Sequence, residues 1–408
     1  MQIALVYHIM RLDTGIPKMH VQLARYLLRR GHEVHVYGSL ADSDPSLTRE
    51  VIFHDVGVPY GTGRMTRPWA VHLAMRRVRS MLRNDRPDVV HARGVSSWVQ
   101  DIAHVTGVYQ SERRGKIESR GRSPLSRRLK DLAHPVVYPM GGLRSLHERR
   151  IAHDTGVVLH AETSGVARDL VSTYGVDPDR IRVVVPGVDV ETFSPHGPRA
   201  NLGLDEPVVV FCGHDYERKG LDRLLRALPR MATRAGLAVV GGGTHSDTGW
   251  GDGAVVPFRR LAGELGILDR VRFLGAQREV APIIRAASVL AHPARFDVWG
   301  LAVTEGMAAG LPVVVSRTTG ASELVDGRSG RVLVRPDDAD ELAAALDDML
   351  DPARRDSSGR VAREIAMQIS TEHQGALVEA DMARIVSAGR VAPRGAGAEH
   401  SRRRSPTE

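Results

Sequence analysis

Cysteine, aromatic residues and long apolar runs are all scarce in this chain of 408 residues. The single cysteine, Cys212, excludes an internal disulfide and gives no sign of an oxidising compartment. No stretch approaches the roughly 18–20 apolar residues that a membrane-spanning helix needs. The first residues, MQIALVYHIM, have the pattern of a strand and lack the basic region and cleavage site of a signal peptide. We therefore expect a cytoplasmic protein.

The charge of the chain is unbalanced, with a formal net value of +8. Such a balance suits anionic partners: nucleic acid, an anionic lipid surface or a phosphorylated substrate. Aromatic residues make up only 4% of the chain, which argues against stacking on single-stranded nucleic acid. We expect no nucleic acid partner.

Apolar strands alternate with amphipathic helices along most of the chain. IALVY (3–7), a helical period over 19–30 and EVHVYG (33–38) form a strand–helix–strand unit, which predicts a parallel sheet. DVVHA (88–92) and VVLHA (157–161) are further buried strands of this series, and a second series of such units begins with the strand PVVVFCG (207–213). Between the two series, residues 183–198 are rich in proline and glycine and have no helical period, as in a linker.

The fold class predicted is α/β, with two doubly wound parallel-sheet domains that face each other across a cleft. In such sheets ligands bind at the carboxyl ends of the strands. The predicted divisions are a first domain (1–185), a linker (186–198), a second domain (199–370), a helix packing back on the first domain (371–390) and a disordered basic tail (391–408).

The segment 292–316 carries the most informative polar pattern. Asp297 precedes a helix predicted to start near Trp299-Gly300, and Glu305 lies inside that helix. Free amides at the helix start, around residues 298–301, can bind a diphosphate. A carboxylate one turn further on can accept hydrogen bonds from ribose hydroxyls. The plainer alternative is that Asp297 only caps the helix.

Two glycine-containing loops complete the pattern. In GHDYERKG (213–220), Arg218 and Lys219 follow a strand that ends at Gly213, and a lysine held there can neutralise a diphosphate. Gly15 lies in the first strand–helix loop, where its missing side chain lets a phosphate approach the backbone. Taken singly, either loop could be an ordinary surface turn.

Together these segments resemble glycosyltransferase family 4, the retaining enzymes of the GT-B fold, and among them the bacterial lipopolysaccharide-core glucosyltransferases. The family's E-x7-E motif is matched by Asp297 and Glu305, followed by GMAAGLPVVVS (306–316). Its phosphate loop is matched by residues 213–220, and its linker by VVPGVDVETFSP (184–195). The resemblance runs from residue 1 to about residue 350.

The resemblance implies a role for each matching residue. Lys219, with help from Arg218 and Gly213, would bind the distal phosphate of the donor. Glu305 would hold the ribose, and Asp297 would contact the sugar hydroxyls as the central catalytic carboxylate. The amides of Gly15, Gly300 and Leu301 would contact the diphosphate. The family needs no metal or other cofactor and uses a nucleotide sugar, commonly a UDP-sugar, as donor.

The sequence departs from the family at three positions. Asp297 replaces a glutamate and is one methylene shorter, which bears on donor choice. His214 stands where an arginine is expected. The family often has a His or Asp on a strand of the first domain facing the donor; here Thr106 or Gly107 falls at that position, and His104 is a nearby catalytic candidate.

Three further sequence features do not add to the predicted donor site. The D-x-D of residues 42–44 lacks a preceding strand and is expected to be a solvated turn, and the histidines lack metal-binding spacing along the sequence. Residues 113–130 form an arginine-rich segment: either a solvated loop, or a surface for an anionic or lipid-linked acceptor or the inner face of a membrane.

The leading hypothesis is therefore a retaining, metal-independent hexosyltransferase acting on a cell-envelope glycan, a glycolipid or a natural product. The alternatives are another enzyme of the same fold, such as a nucleotide-sugar epimerase or a phosphorylase, and a non-catalytic protein that binds anionic surfaces. The sequence leaves the sugar, the base, the acceptor and the oligomeric state open.

Overall fold

A computed structural model describes residues 1–10, 15–40, 49–57, 67–111, 139–205, 207–242 and 255–389. The described residues form two parallel sheets flanked by helices, one in each half of the chain. The predicted α/β class with two parallel-sheet domains is confirmed. The segment 113–130, the D-x-D at 42–44 and the tail 391–408 lie outside the described residues.

The first sheet has seven strands in the order β3-β2-β1-β4-β5-β6-β7, all paired in parallel. Its strands are β1 (Gln2–Met10), β2 (Glu33–Leu40), β3 (Ile52–Asp55), β4 (Val89–Arg93), β5 (Ile102–Val105), β6 (Val158–Ala161) and β7 (Ile181–Val183). Its helices are α1 (Gly15–Arg29), α2 (Arg67–Asp85), α3 (Pro139–His153) and α4 (Ser164–Tyr174). The strand order reverses between β1 and β4, the position at which sheets of this kind bind ligands.

The second sheet has six parallel strands in the order β10-β9-β8-β11-β12-β13. They are β8 (Val208–Cys212), β9 (Gly236–Val240), β10 (Val271–Gly275), β11 (Val289–His292), β12 (Val313–Ser316) and β13 (Gly330–Leu333). The helices of this half are α5 (Leu221–Ala227), α6 (Val256–Glu264), α7 (Ala281–Arg285), α8 (Leu301–Ala308), α9 (Ala339–Leu350) and α10 (Pro352–Gln368). The order reverses between β8 and β11.

The chain between the two sheets is held by arginines of the second half. The Arg363 guanidinium donates to the carbonyls of Val190 and Phe193 at 2.9 and 3.1 Å. Gly187 lies where this connection touches the returning chain, because a Cβ there would lie 2.8 Å from Cα of Thr371. The connection is therefore closely packed despite its lack of regular structure.

The last helix, α11 (Thr371–Ser387), returns to the first sheet. Its residues Val378 and Met382 are buried in the same apolar cluster as Ile3 on β1. The hydroxyl of Tyr26 on α1 donates to Glu379 at 2.7 Å. The C-terminal helix thus covers one face of a sheet built from the beginning of the chain.

Within the described ranges, no helix combines the length and the apolar character needed to cross a bilayer.

Candidate active site

Asp297 lies in the loop that follows β11, at the carboxyl edge of the second sheet. Its backbone amide donates to the carbonyl of Thr318 at 3.1 Å, and its own carbonyl accepts from the amide of Gly320 at 3.0 Å. The backbone of Asp297 is therefore fixed by the loop after β12, the strand that neighbours β11 in the sheet.

Three nitrogen-bearing side chains surround the Asp297 carboxylate. Lys219 Nζ donates to Oδ2 at 3.0 Å, His292 Nε2 donates to the same oxygen at 2.9 Å, and Arg218 Nη1 lies 3.5 Å from Oδ1. Burial opposes ionisation of this carboxyl, whose side chain is only 15% exposed. The charges of Lys219 and Arg218 and the hydrogen bond from His292 outweigh burial, so the pKa of Asp297 lies well below its usual range.

The loop after β8 brings Lys219 to this carboxylate. The Lys219 side chain crosses directly over Gly213, where a Cβ would lie 2.3 Å from Lys219 Cδ. Any side chain at residue 213 would therefore displace the lysine. Arg218 is held by Asp215, whose Oδ2 accepts from Nε at 2.9 Å, and by the carbonyl of Phe296 at 2.8 Å.

The start of α8 faces the same edge of the sheet. Gly300 has a φ of +87°, and a Cβ there would lie 2.8 Å from Cγ2 of Thr319, so only glycine fits without displacement. Helix geometry leaves the first amides, beginning at Leu301, without partners inside the helix. An anion at this point would find both the amides and the positive end of the helix dipole.

Glu305 lies one turn into α8 and meets a residue of the first half. Lys18 Nζ on α1 approaches Glu305 Oε1 to 3.7 Å. Burial raises the pKa of Glu305, while the charges of Lys18 and Lys219 oppose that rise. Gly15, the first residue of α1, begins the same helix. The Lys18–Glu305 contact therefore joins α1 of the first half to α8 of the second.

The first sheet contributes a second buried charge pair beside these residues. Glu162 follows β6, and its Oε1 accepts from Arg93 Nη1 at 2.6 Å. Burial raises the pKa of Glu162, Arg93 opposes that rise, and the negative charge of Asp297 adds to it. Glu162 and Asp297 are thus close enough to interact electrostatically across the two halves.

The remaining candidates, three in the first domain and His214 in the second, differ in accessibility. The His104 side chain is buried, at 2% exposed, on β5, and its Nε2 lies 3.5 Å from Glu162 Oε1. Burial holds its pKa well below the ordinary value, and the Arg93 charge adds to the effect. Thr106, half-buried, and Gly107 follow β5 at the carboxyl edge. His214 is exposed in the loop after β8.

Sequence reasoning missed four side chains of this constellation: Lys18, Arg93, Glu162 and His292. His292 ends the strand before Asp297 and Glu162 follows a predicted strand, so their places at carboxyl ends were the available signal. Lys18 and Arg93 had no such signal, because their importance depends on contacts between elements distant in sequence.

Comparison with known proteins agrees with this architecture. Residues 14–192 match the family model described as Glycosyltransferase Family 4, and residues 206–352 match Glycosyl transferases group 1. The two matches cover most of the chain in consecutive order. The chain belongs to the glycosyltransferases of family 4, with the GT-B fold.

Curated relatives include the D-inositol 3-phosphate glycosyltransferases of Stackebrandtia nassauensis and Mycobacterium tuberculosis. The first is 37% identical over 51% of this chain and 49% of the relative, and the second 37% identical over 52% and 44%. The chain spans about half the length of the curated relatives it matches.

Among solved structures, the fold is similar to that of WaaG, described as a glycosyltransferase involved in lipopolysaccharide biosynthesis. The TM-score is 0.72 at 21% identity, covering 92% of this chain and 98% of that one. Anabaena Alr3699/HepE in complex with UDP-glucose gives a TM-score of 0.68 at 16% identity, over 95% and 100%. These two likenesses establish the fold.

Proposed function

We propose that this protein transfers a hexose-type sugar from a nucleoside diphosphate sugar to a cell-envelope glycan, glycolipid or natural-product acceptor, with retention of the anomeric configuration and without a catalytic metal. The observation that carries the proposal is the convergence of Lys219, Asp297 and the start of α8 at the carboxyl ends of β8 and β11. A cation and helix amides at one sheet edge suit a diphosphate.

The donor contacts follow from this placement. Lys219 and Arg218 bind the phosphates, together with the amides at Gly300 and Leu301. Gly15 approaches them from α1. Glu305 accepts hydrogen bonds from the ribose hydroxyls. When the donor binds, these hydrogen bonds replace the contact between Glu305 and Lys18. UDP is favoured as the nucleotide because the similarly folded Alr3699/HepE forms complexes with UDP and with UDP-glucose.

Asp297 has two tasks in this proposal. It orients the donor sugar through its hydroxyls, and it holds Lys219 in place through their 3.0 Å hydrogen bond. The cations and helix amides stabilise the charge that develops on the leaving phosphate. That phosphate oxygen can take the proton of the acceptor hydroxyl, so a front-face reaction needs no separate protein base. His104 is then a buried residue outside the reacting centre.

The acceptor side is assigned more coarsely. The matched relatives are named for D-inositol 3-phosphate, a phosphorylated polyol, and the net charge of +8 also favours an anionic acceptor. We assign residues 1–185 to acceptor binding, residues 199–370 to donor binding and 186–198 to the linker between them. Association with the inner face of a membrane through residues 113–130 belongs to the same proposal.

Two experiments test the reaction. Purified protein is screened by thermal shift with UDP-, ADP- and GDP-sugars. A ligand at about 100 times its Kd raises the free energy of unfolding by about 2.7 kcal/mol. The product formed with a phosphorylated polyol or lipid-linked acceptor is then examined by NMR at its anomeric proton. Retention is expected. An inverted product refutes the mechanism, and donor conversion without any acceptor indicates an epimerase of the same fold.

A further inference from the structure

The face of the first sheet beneath α1 and α11 carries a histidine on each of three neighbouring strands. They are His91 on β4, His104 on β5 and His160 on β6. His104 pairs in register with His160 and with Arg93, two residues after His91. Because alternate residues of a strand share a face, all three rings project to the same side of the sheet.

These rings form a compact buried group. Each offers a ring nitrogen within 4.8 Å of the nitrogens offered by the other two. The ring centroids lie 5.7 Å apart for His91 and His104, 6.0 Å for His104 and His160, and 6.3 Å for His91 and His160. All three residues are buried, with at most 1% of each whole residue exposed.

The group leaves several nitrogens without hydrogen bonds. Within the described structure, both ring nitrogens of His91, Nε2 of His104 and Nδ1 of His160 have no hydrogen-bond partner. Buried polar atoms are nearly always paired, so several such nitrogens on three adjoining rings call for a ligand.

The ring of His160 has a hydrogen bond to a carboxylate, a contact that metal-binding histidines usually make. His160 Nε2 donates to Asp381 Oδ2 at 3.0 Å, so its Nδ1 carries the lone pair. A carboxylate that fixes the tautomer of a ligand in this way also raises its basicity. Asp381 further contacts Arg182 and Arg384 at 2.8 and 2.9 Å, so its carboxylate is held in place on α11.

We propose that His91, His104 and His160 bind one late first-row divalent cation, Zn²⁺ by preference, at a structural site separate from the donor site. Imidazole nitrogens are the ligands that such cations favour. Zn–N bonds of about 2.0–2.1 Å place ligand nitrogens about 3.3–3.4 Å apart, so modest side-chain rotation from the observed spacing closes the site.

Neighbouring groups complete the setting. The ring of His20 on α1 lies beside that of His91, with centroids 5.8 Å apart and the planes tilted by 36°. Its Nε2 also lacks a hydrogen-bond partner among the described residues, so His20 is the fourth-ligand candidate. The positive charge of Arg93 is compensated by Glu162 at 2.6 Å. Through Asp381 the bound cation joins α11 to the first sheet, and so fixes the C-terminal helix on the domain formed by the start of the chain.

The first test measures metal content and coordination. Full-length protein without an affinity tag is stripped by unfolding with chelator, refolded with Zn²⁺ or Co²⁺, and dialysed. We expect one metal per chain, intense visible Co²⁺ bands typical of four-coordination, and a Tm shift of roughly 5–10 °C at a hundredfold excess over Kd. Substoichiometric metal, or a six-coordinate Co²⁺ spectrum, overturns the proposal.

The second test uses the sign of a stability change. His91→Leu removes two partnerless nitrogens, so without a metal site it is neutral or stabilising at every Zn²⁺ concentration. With the site, it abolishes the bound metal and the Zn²⁺-dependent Tm shift. His373→Leu, on the exposed side of α11, is the matched control and keeps both. Equal metal in wild type and His91→Leu means adventitious binding and refutes the site.

A third variant covers the case in which His91→Leu does not fold. Asp381→Asn keeps the three histidines and weakens the hydrogen bond that orients His160. It is expected to lower Co²⁺ affinity 10- to 100-fold. Unchanged affinity refutes the arrangement. Nucleoside diphosphate binding, measured in parallel, reports on the proposed function alone and does not depend on this outcome.

Discussion

Replacing Lys219 by methionine tests the donor site most directly. The change keeps most of the aliphatic stem that packs over Gly213 and removes only the ammonium group. In the structure that group donates to Asp297 at 3.0 Å, with the lysine side chain 16% exposed. The variant therefore separates charge from packing.

The expected loss of affinity follows from the strength of one charged hydrogen bond. Hydrogen bonds to charged groups contribute about 1.5–3 kcal/mol, which corresponds to a roughly 10- to 150-fold weaker Kd for a nucleoside diphosphate. The fold should survive, because Asp297 keeps His292 at 2.9 Å and Arg218 at 3.5 Å as partners. We expect about 1–2 kcal/mol of destabilisation, less than for a fully buried pair that loses its only partner.

Calorimetric titration with UDP, ADP and GDP measures the affinity, and thermal unfolding measures the stability. The matched control is Arg234→Met, which removes one positive charge from an exposed pair with Asp269. It should leave the affinity within about twofold of wild type, since exposed ion pairs contribute little. If both variants bind the nucleotides as wild type does, Lys219 does not contact the diphosphate and the reasoning fails.

Four further outcomes are expected. Asp297→Asn should lower kcat by at least about 100-fold with retention of the fold, and Asp297→Glu should keep appreciable activity, both measured in a transfer assay. Gly213→Ala should weaken nucleotide binding as Lys219→Met does, because its Cβ would meet Lys219 Cδ at 2.3 Å, while Gly263→Ala, with open space around it, should not. Burial raises the pKa of Glu305, so nucleotide affinity should fall as pH drops through that raised pKa, and Glu305→Gln should flatten the profile. Initial rates of native protein in EDTA should equal those without it, because the Asp297 carboxylate is occupied by cationic side chains; loss restored by Mn²⁺ would contradict this.

The sequence predicted the buried strands well because their signal is local. IALVY, DVVHA and VVLHA are apolar runs of strand length, and each falls on a strand of the first sheet. The edge strands β3 and β7 were not predicted. Apolar and polar residues alternate less clearly in these two strands, and Val183 on β7 is 43% exposed. A partly exposed strand does not need a continuous apolar run, so the sequence signal is weak.

The candidate site was predictable where residues adjacent in sequence carry the chemistry. Lys219 and Asp297 lie in loops and Glu305 lies in the helix that follows Asp297, and the structure brings all three to one edge of the second sheet. Glu162 and Arg93 were missed because their pairing joins the ends of β6 and β4, which are far apart in the chain. The histidine cluster could not be predicted for the same reason. His91, His104 and His160 are far apart in the sequence, and only the pairing of β4, β5 and β6 brings them together.

The hydrogen bonds around Asp297 explain why an acidic residue would suit a position beside the proposed phosphate site. An ammonium group has three N–H donors, and Asp297 accepts one of those of Lys219. Two donors remain for phosphate oxygens, and the lysine is already ordered before the donor arrives, so less side-chain entropy is lost on binding. His292 donates to the same Asp297 oxygen, which ties the carboxylate to the end of β11. A shorter carboxylate than the family's glutamate thus fits a role in which positioning the cation matters as much as reaching the sugar.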